Sequence, residues 1–178
     1  MPPPELYGYT VRRLAPADAP ALQALYERCS DYHEEHEGVP TRPNAAEEEL
    51  VARPPGRMLS DKFSFGIYAP TGEMVGYLDL MRDFPSAGEW WIALLMLDPG
   101  ARGAGLGGRV YEAASRWVAA EGGHTISLGV LEHSPRAEQF WRRMGFEEAG
   151  RQPYTSDSAG RERRLIVLRH ELVHPPAA

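Results

Sequence analysis

A single cysteine, no apolar run of membrane-spanning length and no surplus of basic residues set the first limits on this 178-residue chain. Cys29 has no intrachain partner, so no disulfide framework holds the fold. Its ordinary place is that of a small buried hydrophobe on a helix face. Without roughly twenty consecutive apolar residues, no transmembrane helix is expected. The start Met1-Pro2-Pro3-Pro4-Glu5 lacks a basic and apolar signal pattern, so a cytoplasmic protein is the default expectation. A net charge of −6 argues against broad binding to nucleic acid or anionic membranes and suits a cationic substrate. Any polyanion must then be held by local donors. What is present is an ordinary soluble balance, 43% apolar and 25% charged, in a chain long enough to build one sizeable core.

Apolar periodicity places the elements. Tyr9–Leu14 alternates like a strand, and Pro16–Arg28 carries Ala19, Leu22, Leu25 and Tyr26 at helical spacing. Asp31–Arg42 is polar and ends in prolines. Asn44 is placed to cap a short helix through Val51, with Glu47–Glu49 in its early turns. Strands Lys62–Ala69 and Met74–Arg82 flank Pro70-Thr71-Gly72-Glu73, a hairpin signal. Glu89–Leu97 is almost continuously apolar, the pattern of a strand buried on both faces. A helix over Leu106–Ala120 stops at Gly122-Gly123, and Thr125–Val130 forms the next strand. Pro135 opens a helix running to Met144 with Gly145 as its stop. Strands near Glu147–Gln152 and Arg163–His170 flank a polar loop, Pro153–Gly160. The reading is one mixed α/β domain spanning 1–178, with loose termini near 1–6 and 172–178. Glu89–Leu97 and Thr125–Val130 should be parallel neighbours joined by a right-handed crossover.

The densest signal lies between those two strands. Asp98-Pro99-Gly100-Ala101-Arg102-Gly103-Ala104-Gly105-Leu106-Gly107-Gly108 joins a buried strand to a helix through small residues. The first amides of a helix lack internal partners and carry the positive end of its dipole, which suits a phosphate. The residues literally satisfy G-x-G-x-x-G. The dinucleotide reading nevertheless fails on context, because five residues separate strand from first glycine and Leu128-Gly129-Val130 supplies no ribose-binding acid. A P-loop fails because no Lys-Ser or Lys-Thr follows. A purely structural glycine turn and a coenzyme A cradle remain.

Arg102-Gly103-Ala104-Gly105-Leu106-Gly107 resembles the (Gln/Arg)-x-x-Gly-x-(Gly/Ala) motif of the GNAT superfamily of acyl-CoA-dependent N-acetyltransferases. Asp98-Pro99 before it is similar to the same family. So is Ala137-Glu138-Gln139-Phe140-Trp141-Arg142-Arg143-Met144-Gly145-Phe146, which resembles the family's late helix. The resemblance covers Tyr9 to about Arg169. It implies a GNAT-like α/β (α+β) fold with a mixed, mostly antiparallel sheet, whose central parallel strand pair is splayed and flanked by helices. It also implies acetyl-CoA as co-substrate. Main-chain groups of Met96 and Leu97 would hold the pantetheine arm, and amides of Arg102, Gly103, Ala104, Gly105, Leu106 and Gly107 the diphosphate. Ser134, which stands where the family often has asparagine, and Trp141 would also contact the cofactor. Trp141 stands where the family usually has a tyrosine facing the leaving sulfur, and an indole N–H cannot serve as an acid near neutral pH.

The expected chemistry is direct attack of a primary amine, of a small molecule or peptide, on the acetyl carbonyl. Glu89, beside Trp90 at the start of the same strand, is the candidate base, with a solvated strand-end glutamate as the bland alternative. Ser134, or water it holds, would assist the leaving group. His133 reads as a surface residue. Substrate would enter near Tyr32 and Glu35, within the acidic run Asp31–Glu37, and near Tyr154. His33 and His36 are spaced like a metal pair, but cysteine ligands are absent and acids are common on exposed helices, so no metal is expected. A non-catalytic acyl-CoA-binding sensor or scaffold is the alternative function. Family members often dimerise, and no residue here fixes the oligomeric state. Neither a nucleic-acid nor a membrane partner is expected.

Overall fold

Seven runs of the chain become strands: β1 (Thr10–Arg13), β2 (Lys62–Tyr68), β3 (Met74–Met81), β4 (Glu89–Leu97), β5 (Thr125–Leu131), β6 (Glu147–Thr155) and β7 (Glu162–Glu171). They form one sheet in the order β1-β2-β3-β4-β5-β7-β6. The computed structural model describes residues 1–155 and 162–172, with only the main chain described at 33, 36, 37, 155 and 162. All described pairings are antiparallel except β4 with β5, the parallel pair expected from the strand–helix–strand order.

Helices α1 (Ala19–Arg28), α2 (Ser30–Glu37) and α3 (Ala45–Val51) lie between β1 and β2; α4 (Leu106–Ala120) joins β4 to β5; α5 (Pro135–Arg143) follows β5. Leu22, Leu25, Tyr26, Ala46 and Leu50 of α1 and α3 pack with Tyr77, Leu94 and Met96 against one face of the sheet. On the other face Val110, Tyr111, Ala114, Trp117 and Val118 form the buried stripe of α4, joined by Trp141 of α5. Trp117 meets Phe63, Phe65 and Trp90 edge-on with ring centroids 5.3 Å apart, a favourable aromatic geometry.

Several expectations change. The polar stretch Asp31–Arg42 contains most of a helix, Ser30–Glu37, stopped by Gly38 at φ 72°. Pro16–Asp18 is a 3₁₀ turn ahead of α1. Asn44 precedes α3, but its amide donates to Glu48 Oε1 at 2.6 Å instead of capping the main chain. Pro153–Thr155 continue β6 rather than opening the loop; the remainder of that loop and the 173–178 tail lie outside the described residues. The N-terminus is docked rather than loose: Trp117 Nε1 donates to the Pro2 carbonyl at 2.7 Å, and Leu6 is buried in the core.

The decisive local event is in β4. Its pairing with β3 shifts register between Asp79 and Leu80, leaving Ala93 as an extra residue. A one-residue insertion sends all later side chains to the opposite face. Trp90 and Ile92 therefore face α4, whereas Leu94 and Met96 face α1 and α3. An apolar strand tolerates this because both faces are buried, which is also why its sequence hides the bulge.

Candidate active site

Beyond the bulge, β4 leaves β5. The parallel pairing runs from Glu89 and Thr125 to Ile92 and Leu128 and ends there. Asp98 N–H donates to the Val75 carbonyl at 2.9 Å, which makes 98 and 75 a hydrogen-bonded pair of the β3–β4 ladder. Alternation along an antiparallel ladder then points the amides and carbonyls of Met96 and Leu94 at β3, and those of Leu95 and Leu97 away from it, into the gap. The main-chain groups that face the gap are thus those of Leu95 and Leu97. The expected contribution of Met96 is corrected: its polar groups serve the ladder, and its side chain is buried with α1 and α3.

A cleft of about 920 Å³ fills the gap. Ile92–Leu95 and Leu97 of β4 line one side, Leu128–Val130 of β5 another; Gly103, Gly105 and Gly107 close one end. Gly103 and Gly105 have φ of 83° and 80°, conformations that a Cβ disfavours. Nothing within 4 Å stands where a Cβ would go at either position, so their main chain is open to a ligand. The first helical bond of α4 runs from Arg109 N–H to the Gly105 carbonyl at 3.2 Å. Amides ahead of Arg109 have no place in the helical ladder. This donor set, at the positive end of a 15-residue helix, fits a diphosphate.

Arg102 ties the cradle to both neighbours. Its Nε donates to the Leu97 carbonyl at 2.8 Å, and its guanidinium forms a forked pair with the Asp31 carboxylate of α2. That fork holds the Asp31 carboxyl below the usual carboxylate range. Cys29, fully buried between α1 and α2, donates its thiol to the same Leu97 carbonyl at 3.4 Å. Burial pushes its thiol pKa up, against the pull of Arg102.

The remaining wall is α2 facing the start of α5. Tyr32 and Glu35 line the cleft opposite Ser134, Phe140 and Trp141. Ser134 is buried and donates to Glu35 Oε1 at 2.5 Å. Trp141 packs edge-on against Tyr111, Phe140 and Phe146. The expected residues Leu97, Arg102, Gly103, Gly105, Gly107, Ser134, Trp141, Tyr32 and Glu35 therefore converge on one cleft. Ala104 is not among its lining residues, and the Leu106 side chain belongs to the core. Tyr154 also lies outside the lining, 40% exposed. The side chains of His33 and His36 lie outside those described.

Glu89 is a correction. It is buried, not solvated, and it is not at the cleft. Ser127 donates to Oε1 at 2.5 Å and Ser86 to Oε2 at 3.1 Å, clamping the turn before β4 onto β5. Six residues of strand, roughly 20 Å, separate it from Leu95. The carboxylate guessed from proximity in sequence sits at the closed end of the strand pair.

Sequence reading missed Asp31 as the partner of Arg102 and Leu95 as a gap-facing residue. The first pairing spans 71 positions and has no local signal. The second depends on the bulge.

The Acetyltransferase (GNAT) family model matches residues 19–146. The chain is 25% identical over 141 residues to the uncharacterized N-acetyltransferase YhfO of Bacillus subtilis, covering 78% of this chain and 89% of that protein. Among solved structures, an acetyltransferase from Thermus thermophilus superposes with a TM-score of 0.70 at 22% identity, covering 94% of this chain and 99% of the other. A spermidine N-acetyltransferase from Vibrio cholerae in complex with CoA and spermine gives a TM-score of 0.71 at 17% identity, covering 93% and 96%.

Proposed function

The chain belongs to the Acetyltransferase (GNAT) family and is an acyltransferase, and from that premise we propose that it moves the acetyl group of acetyl-CoA to a primary amine of a small molecule or peptide. One observation carries the reading: β4 and β5 part after Ile92 and Leu128, and the cleft this opens runs to the glycine-rich entry of α4.

In this arrangement the amides of residues 103–107 receive the diphosphate, the Arg102 amide being already bonded to the Pro99 carbonyl, and the gap-facing main chain of Leu95 with the Leu97 N–H lines the pantetheine arm like an added strand. An N–H of that pair, fixed by the β3 ladder, is the donor for the oxyanion that develops on attack. Ser134 and Trp141 form the wall beside the thioester. The amine enters from α2, where Glu35 is the lining carboxylate that faces the cleft while Asp31 is engaged by Arg102. The polyamine held by the Vibrio cholerae structure is one acceptor of that chemistry. Holding both reactants in one cleft supplies the proximity term, and a thiol with a pKa of ~8.5 leaves without full protonation.

The test is thiol release from acetyl-CoA in the presence of spermine, a simple alkylamine and a short peptide. Release above the hydrolysis background with at least one of them, and an acetylated product by mass, is expected. Acetyl-CoA binding with no acceleration by any amine would leave a binding module in place of an enzyme.

A further inference from the structure

Trp141 supplies no acid and Glu89 lies at the wrong end of its strand, yet the cleft contains a carboxylate already joined to a hydroxyl. Ser134 is 4% exposed and immediately precedes α5, but its side chain does not cap that helix. It reaches across to Glu35 at 2.5 Å and so links the wall where the amine enters to the wall beside the parted strands. Asp31, the neighbouring acid one turn earlier on α2, is engaged by Arg102. Resting on the acetyl transfer proposed above, we infer that Glu35 and Ser134 form the proton relay of the reaction. Glu35 is the base toward the acceptor nitrogen, and Ser134 is the donor toward the departing sulfur.

The protons balance along this path. A bound ammonium gives its first proton to Glu35, from which it passes to water through the open mouth. The freed nitrogen attacks the acetyl carbon, forming the C–N bond, and the C–S bond breaks with its electron pair on sulfur. The second nitrogen proton goes to Glu35 while the Ser134 hydroxyl proton goes to sulfur, and Ser134 is restored by the proton on Glu35. Products are the amide, the free thiol and one released proton.

Other charged groups face the pair without replacing it. Arg163 donates to the Glu35 main-chain carbonyl at 2.7 Å, and His133 Nε2 lies 3.5 Å from the same oxygen. Arg136 and Arg143 of α5 stand in the cleft lining, and the Asp31–Arg102 pair closes the cradle side. Arg163 and His133 fix the helix end through main chain, which leaves the Glu35 carboxylate to Ser134.

The experiment compares the full chain with Glu35→Gln, Glu35→Asp, Ser134→Ala and the Gln/Ala double variant. Two primary amines are used, an alkylamine that is cationic at pH 7 and a hydrazide that is neutral there. Glu35→Gln should lower kcat about 100-fold for the alkylamine and less than tenfold for the hydrazide. Its residual alkylamine rate should climb about tenfold per pH unit, following free amine. Ser134→Ala should cost about tenfold, and the double variant should be no slower than Glu35→Gln, because the two act as one unit. Glu35→Asp should restore part of the loss, and calorimetric binding of CoA should be unchanged in the two Glu35 single variants. Equal losses for both amines, or losses that multiply in the double variant, overturn the relay while leaving transfer intact. Absence of thiol release by the parent with every amine overturns transfer and relay together.

Discussion

Lys62, the only lysine in the chain, lies beneath α3 with its ammonium 2.5 Å from the Asp79 carboxylate. Ser64 donates to the other Asp79 oxygen at 2.8 Å, and Glu49 of α3 approaches Lys62 at 3.5 Å. Burial pushes the Asp79 carboxyl up to about 7, against the pull of Lys62, with the nearby Glu49 carboxylate adding to the rise. An unfolded aspartate titrates near ~3.9, so the folded chain holds a proton that the unfolded chain has released. The stabilisation from this group is complete below pH ~4 and is lost as pH rises through about 7. The stability advantage of the parent over Asp79→Asn should be smaller at pH 7 than at pH 5. Urea unfolding at both values checks it; a constant difference would remove the raised carboxyl from the account. Nothing local in the sequence reveals this pair. Both lie on the β2–β3 hairpin and are buried there, with Glu49 of α3 against Lys62. Glu89 teaches the same lesson: its place at a strand start was legible, but Ser127 and Ser86 decided its role.

Among the elements, α2 and the entry to α4 depend on one another. An eight-residue polar helix has little stability of its own. It is held by Asp31 on Arg102, by Glu35 on Ser134 and by Arg163 on the Glu35 carbonyl. That explains why hydrophobic periodicity did not find it: its order comes from polar contacts to residues far along the chain. The entry to α4 was legible, since Gly103 and Gly105 announce a turn that needs positive φ. Replacing Gly105 by leucine forces a side chain into φ 80°, at about 1–2 kcal/mol of stability, and projects it into the open cleft. We expect a folded protein by urea unfolding, with CoA affinity reduced at least tenfold by calorimetric titration. Unchanged affinity would show that the diphosphate lies elsewhere.

For the molecule as a whole, the proposed donor is an anion and the chain has a net charge of −6, so on that proposal attraction has to be local. Most of the cradle is main chain and bridges β4, α4 and, through Arg102, α2. Ligand binding there should stabilise the sheet and both helical layers as one unit. CoA at 100 times its dissociation constant adds about 2.7 kcal/mol. For a chain of this size that is a rise in Tm of about 5–10 °C. Thermal scanning with CoA tests this against pantetheine, which lacks the diphosphate and should shift Tm far less at equal concentration. Equal shifts would assign the binding energy to the arm and not to the cradle.

The sequence by itself determined the elements whose signals are short-ranged. The bounds of β4 and α4, the 70–73 hairpin turn, the parallel crossover and the glycine turn into α4 all follow from periodicity or from backbone conformations only some residues tolerate. It also determined the family, because two motifs at a fixed separation are a local record. Tertiary structure alone decided where β4 bulges, which main-chain groups face the gap, and which carboxylate reaches the cleft. A continuous apolar strand carries no mark of its register, and a charge carries no mark of its partner. Both are fixed only when the sheet closes and distant side chains meet.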